Sequence, residues 1–219
     1  GQVTVNGGAP SGSDAVRVVG DETADDRFTY AAAAYNQGTL TVVSPQPAGA
    51  TTIYQLNDVE SLAVDGRAAA DDELRVTNVN AVVTPGYEPG SGLVEPFSSG
   101  GAALLTLSYL HFEDVAATGT SVVIDTTEAD DQIHLSAAGI LTITNTLNGT
   151  NWIDVSAYTN LTINALGGDD TITIESGAPF DRITVLGGDN GTGSDRLIVN
   201  DGNAIVDFGL NEIRQVATG

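Results

Sequence analysis

The stretch that decides the fold is Leu166-Gly-Gly-Asp-Asp-Thr-Ile-Thr-Ile174, a glycine turn that ends in two aspartates and runs straight into an alternating strand. Ile172 and Ile174 share one face and Thr171 and Thr173 the other, the period of two expected of a half-buried strand. Working outward, the same junction recurs. Asp130-Asp131 leads into Gln-Ile-His-Leu135, Asp71-Asp72 into Glu-Leu-Arg-Val76, and Asp25-Asp26 into Arg-Phe-Thr-Tyr30. Gly193-Ser-Asp195 leads into Arg-Leu-Ile-Val199, and Gly12-Ser-Asp14 into Ala-Val-Arg-Val18. Repetition on this scale signals a stacked architecture, in which each unit buries its apolar face against its neighbours.

The second half is the more regular. Ile140-Leu-Thr-Ile143 is followed by Trp-Ile-Asp-Val155, Asn160-Leu-Thr-Ile163 by Thr-Ile-Thr-Ile174, and Arg182-Ile-Thr-Val185 by Arg-Leu-Ile-Val199. The first half repeats this less cleanly, with Thr39-Leu-Thr-Val42, Ile53-Tyr-Gln-Leu56 and Ser61-Leu-Ala-Val64. The expected fold is all-β, a parallel β-solenoid with rungs of about 20 residues. Regular strand spacing also fits two β-sandwich domains split near residue 100. Residues 1–76 and 105–219 read as two blocks of β-repeats in one continuous domain. Residues 77–104, with Pro85, Pro89, Pro96 and five glycines, read as a projecting, partner-contacting insertion loop. Leu56-Asn-Asp-Val-Glu-Ser-Leu62 resembles Leu210-Asn-Glu-Ile-Arg-Gln-Val216, which hints at a larger duplication.

Composition narrows the function. The 219-residue chain carries 29 acidic residues against seven arginines, with no lysine, for a formal charge of −22. Such a chain repels nucleic acid and anionic lipid, and favours cations, basic partners and a salty or calcium-rich medium. No cysteine is present, so disulfides and thiol chemistry are excluded. No apolar run reaches membrane-spanning length. There is no methionine, and the sequence reads as a processed protein or a fragment of a longer one.

The turns suggest a cation. Carboxylates at equivalent corners repel unless something positive separates them, and Ca²⁺ accepts six to eight oxygens in flexible geometry. The candidate metal residues are Gly167, Gly168, Asp169, Asp170, Gly187, Gly188, Asp189, Asp195, Asp14, Asp130, Asp131, Asp71 and Asp72. Asp also caps turns with no metal at all, by bonding its own backbone. On these residues the chain resembles the repeats-in-toxin family, whose nonapeptide Gly-Gly-x-Gly-x-Asp-x-h-x (h apolar) implies Ca²⁺ in the turns of a parallel β-roll. It looks closer still to degenerate Leu-Gly-Gly-Asp-Asp-Thr-Ile repeats of large secreted bacterial surface proteins. Gly167–Ile172 is a contracted nonapeptide, and Gly187–Leu197 and Gly7–Val16 are expanded ones. No two nonapeptides stand in tandem, which argues for isolated sites near 167–170 and 187–195.

Catalytic constellations are hard to find. His111 and His134 lie in strand-like segments, and no nucleophile elbow, zinc-protease helix or phosphate loop appears. The expectation is a non-enzymatic, acidic, calcium-binding structural module of an extracellular surface, matrix or filament protein. It would associate with itself or with neighbouring repeats. The alternatives are a carbohydrate-binding adhesin domain and a β-helical polysaccharide-degrading enzyme. Thr142, Thr162, Thr171, Thr173 and Thr184 form an outward row that suits either a glycan or plain strand propensity. Asn148, Asn160 and Asn190 open glycosylation sequons.

Overall fold

A computed structural model describes residues 1–8, 14–67, 71–146, 149–190, 195–200, 205–209 and 212–216. The fold is all-β. Among the described residues there is no helix, and 19 strands join one large mixed sheet that does not close into a barrel.

In chain order the strands are β1 (Gln2–Asn6), β2 (Ala15–Val19), β3 (Arg27–Ala34), β4 (Gln37–Ser44), β5 (Ala50–Asn57), β6 (Ser61–Asp65) and β7 (Glu73–Val76). Then come β8 (Asn80–Pro85), β9 (Gly92–Phe97), β10 (Leu107–Leu110), the long β11 (Asp114–Asp125), β12 (Gln132–Leu135), β13 (Ile140–Asn145) and the longer β14 (Gly149–Asn164). The chain continues through β15 (Gly167–Gly168), β16 (Thr171–Glu175), β17 (Arg182–Leu186), β18 (Asp189–Asn190), β19 (Arg196–Asn200), β20 (Ile205–Gly209) and β21 (Glu212–Val216).

The pairings repeat a five-strand path three times. In each pass the first three strands form an antiparallel meander: β3-β4-β5, β8-β9-β10 and β12-β13-β14. The chain then runs through a fourth strand and returns with a fifth that lies parallel to the first. These returns are β7 on β3, the second half of β11 on β8, and β16 on β12. The passes open at Arg27, Asn80 and Gln132. Each fourth strand pairs in parallel with the third strand of the next pass, as β6 does with β10. Each fifth strand pairs with the next fourth, as β7 does with the start of β11. β1 and β2 extend the pattern at one end by pairing with β5 and β6, and β17 and β19 extend it at the other by pairing with β14 and β16.

This path corrects the 20-residue rung. Parallel partners stand 46 residues apart at Arg27↔Glu73, 41 at Ala81↔Val122 and 39 at Gln132↔Thr171. Only the last turns come near the expectation, with 22 at Asn160↔Arg182 and 25 at Thr171↔Arg196. The extra length is the antiparallel return, which has the same alternating pattern as a rung strand and cannot be told from one by periodicity. Residues 77–104 are corrected as well, because they hold β8 and β9, with Ala81, Val83 and Val94 fully buried. Pro85 ends β8, and Pro96 lies beyond the segment of β9 that pairs with β10, where a missing amide donor costs little.

The core is the inward half of this alternation. Phe28, Tyr30, Leu40, Leu74, Leu107, Ile124, Leu135, Leu141 and Ile163 belong to one continuous cluster and are essentially inaccessible. Each such side chain contributes about 1.5–3 kcal/mol on burial. Two tyrosines tie the passes together inside it. Tyr30 Oη donates to the Leu105 carbonyl at 2.5 Å, and Tyr158 Oη to that of Val79 at 3.1 Å.

Candidate functional site

The recurrent aspartates stand directly before strands and form hydrogen-bonded ladders. Asp26 precedes β3, Asp72 precedes β7, and Glu113 precedes β11. The Asp26 amide donates to Asp72 Oδ1 at 2.7 Å, and the Asp72 amide to Glu113 Oε2 at 2.9 Å. Asp131, Asp170 and Asp195 precede β12, β16 and β19 in the same way. The Asp131 amide donates to Asp170 Oδ1 at 2.8 Å, and the Asp170 amide to Asp195 Oδ1 at 3.1 Å. A shorter ladder joins the Asp14 amide to Glu60 Oε2 at 2.8 Å. Parallel stacking brings the start of each strand over the start of the next. One carboxylate per level can therefore satisfy an amide that the sheet ladder leaves over.

Asp26 and Asp131, which open the ladders and take no ladder amide on their own carboxylates, turn an oxygen back on their own corners. Asp26 Oδ2 accepts from the Asp21 amide at 2.6 Å, and Asp131 Oδ2 accepts from both the amide and the hydroxyl of Thr127 at 2.9 Å. Four glycines leave room for the carboxylates at these corners. A Cβ on Gly20 would lie 2.4 Å from Asp26 Oδ2, and one on Gly66 2.8 Å from Asp72 Oδ2. Likewise Gly187 faces Asp195 Oδ2 at 2.5 Å and Gly7 faces Asp14 Oδ2 at 2.8 Å. Gly168 and Gly188 serve the stacking of one corner on another. Gly188 has φ +76°, and a Cβ there would sit 1.7 Å from the Leu166 carbonyl oxygen.

Burial governs the electrostatics. Asp26, Asp72, Asp131 and Asp170 are 0–1% exposed. Burial first, then the charges of Asp131, Asp195 and Asp130, pushes Asp170 up to about 7 against the hydrogen bond from the Asp131 amide. Burial likewise raises Asp72 to about 6, with Asp26, Glu113 and Asp25 adding to the shift. Asp26 Oδ1, Asp72 Oδ2 and Asp170 Oδ2 have no hydrogen-bond partner.

Among the described residues, these corners do not gather oxygens in the way the calcium implied by the resemblance would require, and the Asp189 side chain and residues 191–194 of the candidate site at 187–195 lie outside that description. A Ca²⁺ site gathers six to eight oxygens around one point. Here one oxygen of each inner carboxylate faces an amide donor, the three unpartnered oxygens are spread over different levels, and no three acidic or histidine side chains converge among the described residues. The other sequence candidates lie outside the inner ladder. Asp130 Oδ1 accepts from the Asp169 amide at 2.8 Å, and the Asp71 carbonyl accepts from Gln46 Nε2 at 2.6 Å. Gly167 and Gly168 pair with Asp189 and Asn190 through β15 and β18. Gly12, Ser13, Gly193 and Asn148 lie outside the described residues.

The histidines are held at the surface. His111, in the bend after β10 with φ +58°, has Nδ1 2.8 Å from Asp65 Oδ1. His134 of β12 has Nε2 3.3 Å from Glu175 Oε1. Glu60 and Glu113 complete the ladders but are neither doubled aspartates nor beside a glycine pair, so the turn motif does not single them out, whereas Asp26 belongs to a doubled-aspartate junction that is not among the candidate metal residues. Their signal is position, one residue before an alternating strand. No family model matches the chain, and no curated protein or solved structure matches it either.

Proposed function

We propose that this chain is a non-catalytic structural module, a solenoid-like stack of five-strand passes suited to an extracellular surface, matrix or filament protein. One observation carries the reading. The same path and the same carboxylate-to-amide bond return at successive corners, so the most distinctive acidic residues are spent on closing the backbone. The −22 charge keeps such an elongated, strand-rich surface soluble and fits a medium rich in cations. In this reading the described corners are closed by amide donors, and calcium is not needed to hold them.

Two measurements test it. Melting in EDTA and in excess Ca²⁺ should give the same midpoint, because a cation that stabilises must bind the native state preferentially. Amide hydrogen exchange at Asp26, Asp72, Asp131 and Asp170 should proceed only through global unfolding. Fast exchange at those four amides, or a calcium-dependent midpoint, sinks the proposal.

A further inference from the structure

An uncharged groove of about 600 Å³ opens at the surface of the protein. It lies between the end of β3, the turn from β7 into β8, the segment after β9 and the middles of β11 and β14. Its walls hold no acidic or basic side chain, although the protein carries 29 acidic residues. Phe97 and Leu104 supply an apolar patch, and Asn78, Asn80, Ser98 and Thr120 supply amides and hydroxyls around it. Several polar groups are fixed in place. Asn80 Oδ1 accepts from the Ser121 amide at 2.9 Å, Ser98 Oγ from the Ala102 amide at 3.1 Å, and Thr118 Oγ1 from the Asn78 amide at 3.0 Å.

We propose that this groove binds a neutral saccharide. The volume falls within the range of small-ligand sites, which pair apolar walls with a few pre-positioned polar groups. An anionic ligand would be repelled by the field of the whole protein. A cation would find no carboxylate in the groove. A wholly apolar ligand would strip water from the amides and hydroxyls and leave their remaining hydrogen-bonding capacity unused. A sugar ring meets both demands, because its C–H face lies against Phe97 and Leu104 while its hydroxyls exchange hydrogen bonds with uncharged partners. This site goes beyond the structural role and does not depend on it.

The test is a titration of ¹⁵N-labelled protein with maltose, cellobiose and N,N′-diacetylchitobiose, with digalacturonate as the charged control. At least one neutral disaccharide should give saturable shifts at Asn78, Ser98 and Thr120. Ala157→Trp, at an exposed position on the groove wall, should weaken that binding about tenfold or more, or a loss of about 1.4 kcal/mol, at an unchanged melting midpoint. No shift with any neutral disaccharide, stronger binding of digalacturonate, or unweakened binding by a folded Ala157→Trp protein overturns the assignment. Should the variant fail to fold, the location of the wild-type shifts decides alone.

Discussion

Asp26 and Asp131 open equivalent strands in the first and third passes, yet their corners are finished differently. Both lie before the first strand of a meander whose second strand ends beside them. The pairs Arg27↔Val43 and Gln132↔Thr144 put Ser44 and Asn145 in corresponding places. Asn145 Nδ2 reaches Asp131 Oδ1 at 2.6 Å, and Asp131 has partners on both oxygens. Ser44 has no such reach, and Asp26 Oδ1 is buried without a partner. The turns differ as well. Gly66 before Asp72 corresponds to Ala165 before Asp170, since their amides bond the Leu110 and Leu186 carbonyls in the same step of the path. The first pass takes one residue more to reach its aspartate and needs a glycine there, whereas the third closes over an alanine. One backbone path thus tolerates two levels of polar satisfaction at its opening corner.

The largest expected effect comes from erasing the turn difference. Gly66→Ala places a Cβ 2.4 Å from the His111 carbonyl oxygen and 2.8 Å from Asp72 Oδ2, and should cost about 3 kcal/mol in urea unfolding. The mirror change Ala165→Gly should cost no more than about 1 kcal/mol. Equal costs for the two would abolish the distinction between the passes.

Next in size is Asn145→Ala, which leaves Asp131 Oδ1 buried without a donor and should cost about 1–3 kcal/mol. Ser44→Ala should stay within about 0.5 kcal/mol, as a residue without that contact should. A large loss at Ser44 would show that the first corner has a partner of its own.

The ladders also predict an unusual pH profile. The folded values of Asp170, about 7, and Asp72, about 6, lie above their ordinary 3.8. The folded protein therefore holds protons there that the unfolded chain has released. Stability should be lowest above about pH 7, rise as pH falls through these two values, and level off near 3.8. Asp170→Asn keeps an acceptor for the Asp131 amide and removes the charge. Its gain over the wild type at pH 8 should be on the order of 1 kcal/mol and should vanish near pH 4. A gain that persists unchanged at pH 4 would detach the effect from proton binding.

The smallest effect sharpens the comparison from the other side. Ser44→Asn should give Asp26 Oδ1 the donor that Asp131 already has, and add about 0.5–1 kcal/mol. Its double-mutant cycle with Asp26→Asn should report coupling between the two positions.

Much of this was legible in the chain. Alternation at Thr171–Ile174, Gln132–Leu135 and Glu73–Val76 located strands, and the doubled aspartates located the corners that precede them. The meander strands were equally visible, but Thr39–Val42 and Ile140–Ile143 carry the same period as the strands that stack in parallel. Direction therefore could not be read from them, and the rung came out too short. Prolines at 85 and 96 hid β8 and β9, because a proline at the end of a ladder looks like one in a loop. For the corners, acidic residues beside glycines pointed to a cation, while the geometry shows glycine clearing space for a carboxylate that caps amides.

The sequence by itself determined that this protein is built of half-buried strands joined at acidic corners, because alternation and turn chemistry act over a few neighbouring residues. Only the tertiary structure decided which strands run side by side, and what each carboxylate faces. Those partners lie 25 to 46 residues away along the chain, and it is pairing at that distance that sets a carboxylate against a backbone amide.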